Sequence, residues 1–138
     1  MASVGYSGTP LLKKLGIKPG TIMHIRYEPK SYWDWISPLP EKVVVKSRIT
    51  PGLDFVHLFV TSQKVFKKEV MAARKSISPD GMIWISWPKK SSKVESDLDE
   101  NIIRDFALKN GLVDVKVCAV DETWSGLKLV IPVKLRAQ

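Results

Sequence analysis

The sequence has one cysteine, two histidines and no long apolar run, and each shortage removes a class of protein. A lone Cys118 cannot form an intrachain disulfide, so this is no disulfide-stapled secreted scaffold; a cytosolic thiol is the expected state. His24, His57 and Cys118 stand far apart and make no zinc signature. The longest apolar stretches, 54–60 and 127–133, have strand length and fall short of the about 20 residues that a membrane span needs. Met1 to Gly8 lack the charged and apolar regions of a secretory leader, which predicts a cytoplasmic protein. Neither a Gly-x-Ser-x-Gly elbow nor a Walker-type phosphate loop occurs. There is no internal repeat and no low-complexity tract.

What is present suits a globular chain. Its 138 residues are 44% hydrophobic and 26% charged, enough for one domain with a real core. The expected division is a single domain over 1–138: an N-terminal segment with a short helix over 1–20, then an α/β core over 21–135. The formal charge of +8 permits attraction to nucleic acid, phosphate ligands or acidic surfaces. Lysines spread over a soluble surface give the same total. No arginine-rich helix, zinc module or aromatic strand signature specifies nucleic acid.

Local signals place the elements. Thr9 suits a helix cap, Pro10 the first helical position and Gly16 a left-handed stop. Lys18-Pro19-Gly20-Thr21 reads as a tight turn into a first strand over 21–27. A short aromatic helix follows over 31–36, ended by Pro38 and Pro40. A valine-rich second strand spans 42–47, and Thr50-Pro51-Gly52 breaks it. The third strand, 54–60, is apolar on both faces, as a central parallel strand must be. Ser62 caps a helix with Phe66, Val70, Ala73 and Ile77 at helical spacing. Pro79-Asp80-Gly81 turns the chain into a fourth strand, 82–87. Asp97 with Glu100 resembles a capping box for a helix carrying Ile102, Ile103 and Phe106 inward, ended by Asn110-Gly111. Strands over 113–120 and 127–134 close the chain as an antiparallel hairpin.

The alternation predicts a three-layer, mainly parallel Rossmann-like sheet with a C-terminal antiparallel hairpin. One link strains it. Only about half a dozen residues join the second strand to the third, where a parallel crossover takes about a dozen or more. The second strand is then an edge strand reached by a bare loop, or it is not parallel.

Leu15-Gly16-Ile17-Lys18-Pro19-Gly20, Asp54-Phe55-Val56-His57, the run Ile77 to Ile85, and Gly111-Leu112-Val113 with the closing hairpin resemble a truncated class I methyltransferase scaffold. Three longer strings are more specific: Gly5-Tyr6-Ser7-Gly8-Thr9-Pro10-Leu11, Trp87-Pro88-Lys89-Lys90, and Val120 to Lys128. They resemble a bacterial family known as domain of unknown function number three thousand and fifty-two. That likeness implies a cytoplasmic bacterial protein and assigns no activity. The methyltransferase likeness implies an S-adenosylmethionine site, whose glycine places fall at Arg26, Glu28 and Lys30 and whose acidic place falls at His24. The ribose carboxylate place falls at Lys46-Ser47-Arg48. Every position departs, so no cofactor is expected there. Glycines give the backbone the room to approach such a ligand, and none remains.

Both histidines lie inside strands, where satisfied core residues are expected, and Cys118 reads as a buried small hydrophobe. Ligands of open α/β sheets bind outside the carboxyl ends of strands. Those ends carry Tyr27, Glu28 and Lys30, then Thr61 and Ser62. The ends of the later strands carry the expected ligand set: Trp87, Lys89, Lys90, Asp121, Glu122 and Trp124 facing one cleft. The lysines would hold an anion, the indoles a planar ring, and the carboxylates a hydroxyl or amine. The same lysines also suit a solvated loop, and the tryptophans a lid over the sheet end.

Three functions stay open. The first is a non-catalytic binding module for a small anionic or nucleotide-like ligand or a protein partner. The second is an enzyme of unnamed substrate, including a divergent methyltransferase. The third is a non-specific nucleic-acid binder. No metal and no membrane contact is expected, and the oligomeric state is left open.

Overall fold

The computed structural model describes residues 10–136. The expected cap Thr9 lies outside them, as does the string Gly5 to Gly8. Gly16 takes the left-handed conformation that stops α1 (Leu11–Leu15). Pro10 stands one place before that helix rather than at its first position. The Lys18–Thr21 turn closes with Thr21 N–H donating to Lys18 O.

Six strands follow: β1 (Ile22–Arg26), β2 (Val44–Val45), β3 (Leu53–Phe59), β4 (Ile77–Pro88), β5 (Val113–Ala119) and β6 (Trp124–Val130). They form one sheet in the order β2-β1-β3-β4-β6-β5. β2, β1, β3 and β4 are parallel; β6 lies antiparallel between β4 and β5. The expected architecture, a mainly parallel sheet closed by an antiparallel hairpin, is the one observed.

Helices cover both faces. α3 (Gln63–Ser76) and α4 (Glu100–Lys109) bury Phe66, Val70, Ala73, Ile103 and Ala107 against Val56, Leu58, Ile83, Ile85, Leu127 and Leu129. α1 and α2 (Tyr32–Trp35) cover the other face, over Met23, Ile25, Phe55, Phe59 and Trp84. Alternation along β3 explains the split: Val56 and Leu58 point to α3, while Phe55 and Phe59 point to α1 and α2. No helix among the described residues is long and apolar enough to cross a membrane.

Three local expectations need correction. β2 is only two residues long, at the sheet edge, parallel to Ile22 and Met23 at the start of β1. The return to β3 is therefore short, and a bare loop suffices. Next, Pro79-Asp80-Gly81 does not precede β4 but bulges within it. Pairing jumps from Leu53–Ile77 to Phe55–Met82. Gly81 permits this, since a Cβ there would come within 3.0 Å of Leu53 O and 3.1 Å of Ser78 O. Ile77 is accordingly extended, with α3 ending at Ser76. The third correction concerns α4, which is capped by Asp99, whose carboxylate accepts from Ile102 N–H at 2.9 Å. Asp97 is engaged elsewhere. Asp99→Ala should therefore cost about 1 kcal/mol in urea denaturation. If Asp97→Ala costs α4 the same and Asp99→Ala nothing, the cap assignment is wrong.

Candidate functional site

The chain leaves β1 toward β2 on one side and later returns to β3 on the other. The point where strand order reverses, between β1 and β3, is where open α/β sheets hold ligands. A cleft of about 390 Å³ lies there, lined by Tyr27, Phe59, Thr61, Val65 and Trp124. Four of these five groups are aromatic or apolar or both, so the cleft suits a planar, weakly polar body.

Each wall is held by identifiable contacts. Tyr27 follows β1 with φ of 65°, a left-handed conformation unusual for a bulky residue. Its hydroxyl donates to Glu69 Oε2 at 2.8 Å, and Arg26 Nη1 donates to Glu69 Oε1 at 2.7 Å. Glu69 is buried on α3, so one carboxylate ties the end of β1 to that helix. The hydrogen bond to Glu69, followed by burial, raises the Tyr27 pKa. Across the cleft, Trp124 meets Phe59 edge-on at 5.1 Å between centroids. Asp121 Oδ1 fixes its backbone by accepting from Thr123 N–H and Trp124 N–H at 2.9 and 2.8 Å.

A second cleft of about 410 Å³ shares Thr61 and adds Ser62, Glu95, Ser96 and Asp97. Asp97 Oδ1 accepts from Gln63 N–H at 2.8 Å, and Ser62 Oγ accepts from Val65 N–H at 3.1 Å. Two leading amides of α3 are thus satisfied by the chain itself. A carboxylate already occupies the positive end of that helix dipole.

The six residues expected in one cleft are divided. Lys89 N–H donates to Thr123 O at 2.8 Å, which joins the lysine loop to the 121–124 turn. Lys90 and Glu122 are exposed beside it. Asp121 holds the turn, and Trp124 lines the cleft. Trp87 turns away: it is only 7% exposed and packs in the α3–α4 core. The cause is strand alternation. Trp124 pairs with Pro88, so its side chain shares a face with Pro88, and Trp87 points to the opposite one.

Phe59, Val65 and Glu69 were missing from that expected set. Tyr27 and Thr61 stood among the strand-end residues but outside the final six. The reversal of strand order, rather than the ends of the later strands, is the signal that finds them.

Below the cleft, His57 is fully buried. Tyr32 Oη lies 2.9 Å from its Nδ1 and Ser86 Oγ 2.8 Å from its Nε2. Burial lowers its pKa to about 3, so the ring is neutral, one nitrogen donating and the other accepting. Ser86 is equally buried, which keeps this chain of three away from any substrate. His24 Nδ1 donates to Lys46 O at 2.8 Å; its Nε2 has no partner among the described residues. Burial raises the Cys118 thiol.

Solved structures similar to this one include methyltransferases. A putative type 11 methyltransferase from Sulfolobus solfataricus aligns with a TM-score of 0.61 at 13% identity, covering 90% of this chain and 89% of that one. A SAM-dependent methyltransferase from Aquifex aeolicus aligns at 0.58 and 17% identity, covering 88% and 87%. DhpI in complex with SAH aligns at 0.62 and 12% identity, covering 88% and 82%. The fold is a methyltransferase-like Rossmann fold. Within that class, the chain belongs to the family described as Protein of unknown function (DUF3052), which matches residues 52–133. None of the curated proteins matches it.

The residues after β1 do not fit the cofactor that the fold suggests. Where a glycine loop would give backbone access stand Arg26, tied to Glu69, and Glu28, whose Oε2 accepts from Trp33 Nε1 at 3.1 Å. The chain then enters α2 within a few residues. Past β2 come Lys46, Ser47 and Arg48, with no carboxylate for a ribose.

Proposed function

We propose that this protein is a non-catalytic binding module on a methyltransferase-like fold, holding a small nucleotide-like ligand at the reversal of strand order. The cleft between Tyr27 and Trp124 carries this reading. It offers an aromatic floor and walls to a planar base. Lys89, whose backbone N–H donates to the Thr123 carbonyl, and the next residue Lys90 would extend that rim toward an anionic group, and cations beside a low-dielectric wall attract an anion more strongly than in open water. Loss of the glycine loop argues against methyl transfer from adenosylmethionine in the usual pose.

Calorimetry and thermal shift with adenosine, AMP, ATP, S-adenosylmethionine and S-adenosylhomocysteine test it. AMP or ATP should stabilise the parent, and the two adenosyl sulfur compounds should not bind after β1. Trp124→Ala should weaken nucleotide binding about tenfold, as expected for loss of one stacking ring. Lys89→Ala with Lys90→Ala should reduce the preference for ATP over adenosine. The reading fails if no nucleotide stabilises the parent, or if both variants bind as it does. Micromolar adenosylmethionine binding that is lost on changing Glu28 or Lys30 favours a divergent methyltransferase instead.

A further inference from the structure

The face of the sheet under α1 carries a feature that the cleft does not use. Lys116 on β5 and Lys128 on β6 are directly opposed in the antiparallel pair, so their side chains share one face. Cys118, two residues along β5, packs in the α1–α2 cluster, which identifies that face. Lys116 Nζ donates to Lys14 O at 3.1 Å, bringing α1 alongside. Lys18, Lys116 and Lys128 enter none of the ion pairs found among the described residues, which use only Arg26 and Arg104 as cations. Like charges directly opposite each other destabilise a strand pair. Burial, then the charges of Lys116 and Lys18, lower the Lys128 pKa. The arrangement is unfavourable to the chain alone and is relieved by an anion.

We propose that the α1 side of the β5–β6 hairpin, bearing Lys116 and Lys128 with Lys18 beside them, docks the phosphodiester backbone of a nucleic acid. Two cations opposed on paired strands, with a third in the Lys18–Thr21 turn, suit the charges of a phosphodiester polymer and make no demand on base identity. A bilayer is the poorer partner. Val117, the exposed valine between Lys116 and Cys118, pairs with Leu127 and so points to the α3–α4 face. Val117 therefore puts no apolar wedge for lipid beside these lysines.

The test is fluorescence anisotropy of labelled random duplex DNA and labelled single-stranded RNA across a salt series. Three phosphate contacts predict roughly 40-fold weaker duplex binding between about 50 and about 200 mM salt. Lys116→Gln with Lys128→Gln should lower the slope of log affinity on log salt by about 2, and Lys18→Gln by about 1. The double variant should melt at or above the parent temperature, since it removes a repulsion; if it does not fold, Lys18→Gln alone decides. Lys64→Gln with Lys68→Gln on exposed α3 should leave the slope unchanged. Binding of either nucleic acid with this pattern supports the proposal, and the preferred arm distinguishes DNA from RNA. It is overturned if neither binds the parent, if the hairpin and Lys18 variants keep the parent slope, or if the α3 variant lowers it equally. Phosphatidylserine vesicles binding where both nucleic acids fail also overturns it.

Discussion

Replacing His57 with leucine should destabilise the protein by about 4 kcal/mol at pH 7, because it leaves two buried hydroxyls, Tyr32 Oη and Ser86 Oγ, without their partner. The penalty should shrink as the solution is acidified. His57 titrates at about 3 in the native state, against about 6.5 when unfolded. Between those values the unfolded chain binds a proton that the native chain does not, so the parent gains stability as pH rises and loses it as pH falls. This loss amounts to about 1.4 kcal/mol per pH unit and about 5 kcal/mol over the whole window. The variant lacks it. At pH 4 the gap between parent and variant should therefore close to about 1 kcal/mol. Urea denaturation at pH 7 and pH 4 measures this directly. A gap independent of pH would show that the ring is not held neutral.

The second large effect is expected at Trp84. Its indole is fully buried at the centre of the sheet, and Nε1 donates to Leu15 O at 2.9 Å, anchoring the end of α1. Gly126 makes room for the ring: a Cβ there would come within 3.2 Å of Trp84 Cε3 and 3.2 Å of Val120 Cγ2. Trp84→Ala should cost about 3–5 kcal/mol from lost transfer energy and the cavity left behind. Trp84→Phe keeps most of the packing and loses the hydrogen bond, so it should cost about 1–3 kcal/mol. Denaturation midpoints separate the two contributions. A loss below about 1 kcal/mol for Trp84→Ala would mean that neighbouring side chains collapse into the space.

The fold was legible where short-range patterns and tertiary needs agree. β3 reads as buried because residues on both its faces are apolar, and α3 because Ser62 precedes a helical stripe. The misses share a cause: a distant partner decided between locally equivalent options. Asp97 and Asp99 are both chemically competent caps for α4. Gln63 N–H claims Asp97, and nothing near α4 in sequence reports that contact. Pro79-Asp80-Gly81 has turn chemistry, but pairing with β3 holds on both sides of it and makes it a bulge within β4. At the candidate site, of the six residues expected from the later strand ends only Trp124 lines the cleft, while Lys89 and Asp121 hold the turn beside it. Trp87 was misplaced because the phase of alternation was not applied to it. Glu69 was invisible, since a glutamate inside a helix flanked by lysines reads as solvated. Only the fold brings it under Arg26 and Tyr27.

Glu69 also has a mechanical consequence. It joins β1 and α3 through two charge-assisted bonds, so the Tyr27 and Val65 sides of the cleft behave as one body. Trp124 faces it from the start of β6, which pairs with β4 along its whole length, and meets Phe59 edge-on. Both walls of the cleft are thus carried by one sheet, and its width is set where the Asp121 turn delivers Trp124 to that sheet. Substitutions at Asp121 should therefore change how wide a ring is admitted while leaving the Tyr27 wall in place.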